Sequence, residues 1–346
     1  MRPHAHRVLA VLATALATIV IIAVGRGAVA LSPGDVIAAL CEPLGLRAGD
    51  VNEQHVAIVW SVRLPRVLLA ALVGAALGSA GAALQGVVRN PLADAALIGV
   101  SGGAALGAVA MIVLGASLVA QATFGMWLVP AAAFAGALVA TRIALMLARV
   151  GGVTSGLSLL LAGVGLAALT GAAIGMLVYV ADDAALRSIT FWNLGSVGGA
   201  TWSLVGVAAA PIAIGILLLP RLAGDLDRLA LGELAARHVG VDVARVIRRV
   251  TTLTSLSVGA AVATCGAIGF VGLVVPYLAR AVVGPAHRTL LPACALAGAV
   301  LLVLADLVAR TIVPPTEVPI GVITALAGAP VLLVLVRRGR TAVALL

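Results

Sequence analysis

Lysine is absent from this chain of 346 residues, in which all 22 basic positions are arginine. A phosphate-binding loop of the G-x-x-x-x-G-K-[ST] type needs that lysine. Nucleotide hydrolysis by that route is therefore excluded, and any ATP-driven step must be supplied by another polypeptide. Charge is scarce, at 10% of residues against roughly 25% in soluble domains. Only three cysteines occur, Cys41, Cys265 and Cys294, and none forms a C-x-x-C pair. Five histidines are scattered: His4 and His6 lie in the N-terminal tail, and His55, His238 and His287 fall in loops. None has a metal-ligand partner at helical spacing, so neither a metal site nor a cofactor is expected.

What fills the chain instead is apolar. Hydrophobic residues make up 62% and the mean hydropathy is +1.21. Runs of about 20 apolar residues, each long enough to cross a hydrocarbon core of roughly 30 Å, recur along the whole length. Periodicity marks ten segments, at 8–30, 64–86, 94–115, 126–148, 154–180, 202–220, 246–270, 272–284, 289–310 and 318–336. The eighth is short and carries Pro276, which suggests a half-helix. The first resembles a signal peptide in its flanking Arg2 and Arg7 and in Ala28-Val29-Ala30, but its apolar run is too long for an h-region. The predicted fold is all-α: one polytopic membrane domain over 1–346 with about ten transmembrane helices.

Arginine placement orients it. With the N-terminus inside and ten spans, sixteen arginines fall on the cytoplasmic side and six outside, as the positive-inside rule requires. Both termini are then cytoplasmic. The net charge of +9 is a topology signal, not a nucleic-acid footprint. Trp60, Trp127, Trp192 and Trp202 all fall near outer ends of spans, as an interfacial belt places them.

Forty glycines fit close helix packing, because small residues four apart let backbones approach where lipid offers no hydrophobic drive. Gly74/Gly78, Gly99/Gly103, Gly103/Gly107 and Gly171/Gly175 have that spacing. An internal echo pairs VGAALGSAGA at 73–82 with VGAAVATCGA at 258–267, matching at six of ten positions, and the same offset sets Pro91 on Pro276. The two copies are predicted to run in opposite directions, the pattern of inverted repeats in transporters.

Four segments carry candidate chemistry. Arg63-Leu64-Pro65-Arg66 sits at the mouth of a Gly/Ala-rich helix that ends at Asn90-Pro91. The longest polar stretch between spans, 221–249, mixes Leu226, Leu229, Leu231, Leu234 and Val239 with charges, and Gly232 and Gly240 punctuate it. It reads as short amphipathic helices at the cytoplasmic face, either resting on the membrane or coupling to a partner ATPase. The outer stretch 181–202 is rich in aromatics and reads as an interfacial helix or a surface for an external partner. Asp306 and Arg310 lie one helical turn apart within the ninth span. They form a local ion pair or, because intramembrane charge is costly, mark function.

The ordered motifs RLPR…GAALGSAGAALQ…NPLADAALIGVSGGAALG, GELAARHVGV, GAIGFVGLVVPYLAR and ADLVAR…EVPIGVITALAGAPVLLVLVRR resemble the FecCD family over about residues 60–340. Its members are permeases of ABC importers for iron-siderophores, haem and vitamin B12. The resemblance implies a type II importer permease fold, a homodimer in the inner membrane, two cytoplasmic ATPase subunits and a periplasmic substrate-binding protein. It also implies roles. Arg63, Arg66 and Arg310 resemble the outer arginines that receive carboxylates of the binding protein. Asn90, Pro91 and Leu92, with the loop 151–158 that includes Thr154 and Ser155, resemble the cytoplasmic gate. Glu233, Arg237, His238, Val239, Gly240 and Val241 resemble the ATPase-coupling loop. The 181–202 stretch is more like that of haem permeases, which makes haem the leading cargo, with a ferric siderophore as the alternative and cobalamin behind both. Met176 and Tyr179 are candidate pathway contacts, with packing as the competing role. An ion-coupled carrier would need ionisable groups at the midplane, where only Asp306 comes close. An intramembrane enzyme would need a clustered nucleophile and base, which the spans lack.

Overall fold

The computed structural model describes residues 3–27, 29, 31–42, 52–115, 125–150, 153–313 and 316–337. The predicted residues Arg2, Ala28, Ala30, Gly151 and Gly152 lie outside that set. Ten helices answer the ten apolar segments one for one: α1 (Pro3–Gly25), α2 (Leu64–Val88), α3 (Val100–Leu114), α4 (Gly125–Leu147), α5 (Gly156–Tyr179), α6 (Trp202–Leu218), α7 (Val243–Cys265), α8 (Val271–Val283), α9 (His287–Ala309) and α10 (Ile320–Arg337). Short helices fill the connections, and α4 and α5 are joined across a two-residue antiparallel pair, β1 (Arg149–Val150) with β2 (Val153–Thr154).

The centre of the bundle is α2. Asn52 caps a short helix, Glu53–Ala57, which passes through a π-helical stretch, Ile58–Arg63, into α2 with Pro65 in its first turn. Proline is tolerated there because the first N–H groups have no intrahelical partner. Every residue from Ala76 to Val87 is buried, and all but Ser79 and Gln85 are apolar, the all-round pattern of an enclosed helix. It ends where Arg89 turns left-handed (φ 53°), a conformation that costs a non-glycine residue about 1 kcal/mol.

Glycine explains how α2 is enclosed. A Cβ on Gly74 would fall on the Gly298 carbonyl of α9, one on Gly78 on the Cys294 carbonyl, and one on Gly81 on the Gly272 carbonyl of α8. The backbones touch where side chains would normally stand between them. The α3–α4 pair repeats the device, with Gly103 against Gly136 and Gly107 against Ala132. Two expectations fail. Gly99 is no packing glycine: it caps the 3-10 turn Ala95–Ile98 at φ 86°, which delays the start of α3 to Val100. Gly171 and Gly175 meet nothing within 4 Å, because α5 buries only Gly156, Leu159, Gly163, Leu166 and Thr170. Its opposite face, including Leu161, Leu169, Met176 and Tyr179, is open.

Pro276 does not break its helix. It lies inside α8, which is 13 residues long, and Pro130, Pro211, Pro292 and Pro330 sit inside helices in the same way. In membrane helices the freed carbonyls find partners in neighbouring elements. The two copies of the internal echo, in α2 and α7, run antiparallel as predicted: the segment 196–198 meets Arg66 at the start of α2 and donates from Ser196 N–H to the Cys265 carbonyl at the end of α7. Some buried polar groups in the core are bonded across helices, as with Thr141 to Ser255 (2.8 Å) and Gln85 to the Gly272 carbonyl (3.2 Å), while the Thr251 and Thr254 hydroxyls of α7 have no partner among the described residues. Gln85 also accepts from Arg280.

Candidate functional site

The predicted residues gather at opposite ends of α2. At its N-terminal end stand Arg63, Arg66 and Arg310, only 4%, 7% and 6% exposed. A buried guanidinium is costly unless its donors find acceptors: Arg63 and Arg310 turn to backbone carbonyls and Arg66 to carboxylates, while Arg310 Nε makes no hydrogen bond among the described residues. Arg63 donates to the carbonyls of Val24 and Gly25, both at 2.8 Å, and to that of Val29. Arg310 donates to Ala23 at 2.8 Å. Ala23, Val24 and Gly25 carry the last carbonyls of α1, which have no intrahelical donor and form the negative end of the helix dipole, whereas Val29 lies beyond the helix. Two arginines from elsewhere in the chain therefore cap α1.

Arg66 is held by carboxylates. Its Nε and Nη2 lie 2.9 and 2.8 Å from Asp306 Oδ1, and its Nη1 lies 2.7 Å from Glu317. Asp306 is fully buried, with Arg310 Nε 3.5 Å from its other oxygen. The i, i+4 ion pair is present, but Arg66 is the closer partner. Asp306 is thus neutralised at one end of the bundle, which leaves the ion-coupled reading without its midplane carboxylate. Glu317 is the outlet of the cluster, its side chain 46% exposed. Pro314 and Pro315 just before it lie outside the described residues. Nearby, Trp60 and Trp202 stack at 6.3 Å, and the Trp202 indole donates to the Trp60 carbonyl at 2.7 Å. The aromatic stretch forms a helix, Asp183–Leu194, capped by Asp182.

The other end brings three predicted segments together. Asn90 caps its own turn through Leu92 N–H (2.9 Å), and Leu92 is exposed while Asn90 and Pro91 are half-buried. Thr154 is buried, and Ser155 is the N-cap of α5, accepting from Ser158 N–H at 3.0 Å. The α5 N-terminus is pressed on the end of α2, since a Cβ on Gly156 would meet the Val87 carbonyl. Beside them the 221–249 stretch folds as two short helices, Ala223–Leu229 and Glu233–His238, with Gly232 (φ 110°) before the second and Gly240 (φ 84°) after it, and its last residues, from Val243, are the first turns of α7. The second helix is anchored by buried Ala236, and Val241 is buried with its N–H on the Ala236 carbonyl. It turns Arg237, His238 and Val239 outward beside exposed Leu231 and Leu234.

One bond joins these parts. Glu233 accepts the Gly156 N–H at 3.0 Å across 77 residues, so a carboxylate from the 233–238 helix caps the first turn of α5, where the helix dipole favours negative charge. A second tie runs parallel to it. Asp227 accepts both the backbone N–H (2.8 Å) and Nδ1 (2.7 Å) of His287 at the start of α9, and His287 Nε2 faces Gly86 of α2.

This helical frame has solved and curated counterparts. A model of the FecCD transport family matches residues 15–338. The chain belongs to the FecCD transport family. The hemin transport system permease protein of Yersinia pestis is 45% identical to this FecCD chain over 82% of its length and 84% of the relative's. The vitamin B12 import system permease of Vibrio cholerae is 44% identical over 79% and 81%. A solved structure described as an inward-facing conformation of a metal-chelate type ABC transporter matches with a TM-score of 0.81 at 33% identity, covering 96% of this FecCD chain and 99% of its own. The likeness confirms the expected all-α permease fold and the transport family, and two cargo types are named among relatives of nearly equal identity.

Several residues of this FecCD site were missed in the sequence. Glu317, Asp227 and Gly156 act through partners 251, 60 and 77 residues away, a separation that no local pattern encodes. For Glu233 a signal was present: an acidic residue just after Gly232 reads as the first turn of a helix. Its partner was not readable.

Proposed function

We propose that this chain is the permease subunit of a binding-protein-dependent ABC importer that carries haem across the inner membrane, as a homodimer driven by two ATPase subunits. The observation that carries the reading is the Glu233–Gly156 bond. An exposed helix that the chain itself leaves unpartnered is wired to the N-terminus of α5, beside the two turns that resemble the family's gate. A subunit without a P-loop lysine needs such an inlet for force from an ATPase. Exposed Leu231, Leu234 and Val239, with Arg237 and His238, offer that ATPase an apolar and basic surface. Asn90, Pro91, Leu92, Thr154 and Ser155 close the cytoplasmic gate, and both termini lie on that side, as the arginine distribution directs.

The open face of α5 supports the homodimer. Exposed Gly165, Gly171 and Gly175 beside Leu161, Leu169, Met176 and Tyr179 let a second copy approach and leave an apolar pathway between the two. An apolar wall suits a large porphyrin, with Met176 and Tyr179 (71% and 87% exposed) as passing contacts near its outer end. Docking of the periplasmic binding protein belongs at that same outer end, across the bundle from the gate, around Arg63, Arg66 and Arg310. Of these, Arg66 is reached through Glu317, whose place an incoming carboxylate takes by exchange. The bidentate geometry of Arg with carboxylate favours that exchange.

A comparison of uptake tests the cargo. Permease, ATPase and binding protein in liposomes should accumulate hemin in an ATP-dependent manner, and cobalamin and ferric siderophores far less. Hemin left outside while cobalamin enters would move the assignment to cobalamin, the cargo in the name of the second relative. Uptake that needs no ATPase would overturn the importer reading altogether.

A further inference from the structure

A cleft of about 430 Å³ opens between the C-terminal end of α6 and the first turns of α7. Its rim is basic, formed by Arg221, Arg248 and Arg249 with the Thr252 hydroxyl, and its wall is Leu218, Leu222 and Leu253. No carboxylate lines it. The acidic residues of the stretch 221–249 are all engaged elsewhere: Asp225 with Arg228 (3.1 Å), Asp227 with His287, Glu233 with the Gly156 N–H, and Asp242 with Arg245 (3.2 Å). The three rim arginines are exposed and make no ion pair among the described residues. Thr252 lies four residues after Arg248 and three after Arg249, so its hydroxyl neighbours both on the helix surface. Leu217, one residue before the wall begins, is 66% exposed on the outside of an apolar span. The cleft therefore stands at the level where hydrocarbon gives way to headgroups.

We propose that this cleft holds the headgroup of an anionic phospholipid, with phosphate on Arg221, Arg248 and Arg249 and the upper acyl chain along Leu218, Leu222 and Leu253. Basic pockets between helices at the cytoplasmic face have the charge and position to take such lipids. Guanidinium pairs with phosphate in forked geometry, and the leucine wall selects an amphiphile over a bare anion. A lipid seated here spans α6 and α7, the two helices that flank the 221–249 stretch, and would steady the frame from which that stretch is hung. The assignment is independent of the cargo and shares with the proposed function only the cytoplasmic placement of this end of the bundle.

The test is a lipid titration of the purified full chain in neutral detergent, followed by native mass spectrometry. Phosphatidylglycerol should bind at one saturable high-affinity site, and phosphatidylcholine and inorganic phosphate should not compete for it. Each arginine near an anionic surface contributes about a fivefold factor in binding, so the triple variant Arg221→Gln, Arg248→Gln, Arg249→Gln should weaken that site about 100-fold. The triple Arg→Lys variant, which keeps the charge, should retain most of the binding. As a control for bulk charge, Arg228→Gln with Arg245→Gln, at the arginines already paired, should leave the site intact. Equal binding by phosphatidylcholine or by phosphate alone, or an equal loss in the control, would overturn the proposal. So would a triple Gln variant that keeps phosphatidylglycerol yet fails to assemble with its ATPase, because the arginines would then serve protein carboxylates.

Discussion

Around Asp306 the bundle has gathered three guanidinium groups and two carboxylates at one end of a membrane domain. Burial makes each charge dependent on its neighbours. Removing one partner of a buried pair costs about 3–5 kcal/mol because the other charge is stranded, whereas a half-exposed pair is worth under about 1 kcal/mol. Asp306→Asn should therefore lower stability by about 3 kcal/mol, read as a drop in the denaturation midpoint of the purified chain. Glu317→Gln, at the exposed outlet, should stay within about 1 kcal/mol of the parent. A stable Asp306→Asn protein would show that the cluster plays no part in holding α2, α9 and the end of α1 together. The sequence displayed half of this arrangement. Asp306 and Arg310 announce themselves by spacing, but Arg66 joins from 240 residues away. Arginines are ordinarily surface groups, so nothing local reveals that Arg63 and Arg310 turn inward to cap the carbonyls of α1. The resemblance pointed to these three as a landing site for a binding protein, and the protomer uses the same side chains to hold its own helices.

Between helices, glycine does what larger side chains do in soluble cores, and its position determines whether it matters. Gly298 of α9 lies against the Gly74 carbonyl of α2, where no side chain can yield because the obstacle is backbone. Gly298→Ala should cost at least about 1–3 kcal/mol, the range for forcing extra carbon into a packed interior. Gly175→Ala on the open face of α5 should be neutral or stabilising by up to about 1 kcal/mol in the separated protomer, where nothing meets it, since alanine is the better helix former. Thermal unfolding of the two variants side by side measures the contrast. Equal losses would mean that the α5 face is filled as tightly as the α2–α9 seam. Gly74, on which Gly298 packs, looks like Gly175 in the sequence, where Gly74/Gly78 and Gly171/Gly175 share one spacing. Hydropathy marks apolar stretches, so each of the ten helices had a counterpart in the sequence, and six of them are long and apolar enough to cross a membrane. It carries no record of which face of a helix has a neighbour, because every face of a membrane helix is apolar. The late start of α3 was hidden for a related reason: Asp94 and Gly99 shape a capped turn within an unbroken apolar run.

Across the whole molecule, on the proposed reading, the helix that meets the ATPase and the helix that lines the pathway touch through one carboxylate. Glu233 belongs to a six-residue helix, too short to be stable alone, so its position depends on what it touches. An ATPase that shifts the helix must either pull the α5 N-terminus along through Glu233 or part the two. Hydrogen bonds to charged groups contribute roughly 1.5–3 kcal/mol, enough to change the ratio of coupled to uncoupled states about tenfold or more. Glu233→Ala should leave ATP hydrolysis by the assembled complex running while cargo moved per ATP falls about tenfold. Glu233→Gln should keep most of the coupling, because an amide oxygen still accepts the Gly156 N–H. Proteoliposome uptake measured alongside phosphate release gives that ratio directly. An unchanged ratio in Glu233→Ala would place force transfer elsewhere, with the Asp227–His287 tie the next contact between the two layers. An equal fall in both variants would assign the effect to negative charge at the α5 dipole instead of the bond itself. The distinction matters mechanically: a bond transmits pull along its own direction, whereas a charge near a helix end only biases where that end rests.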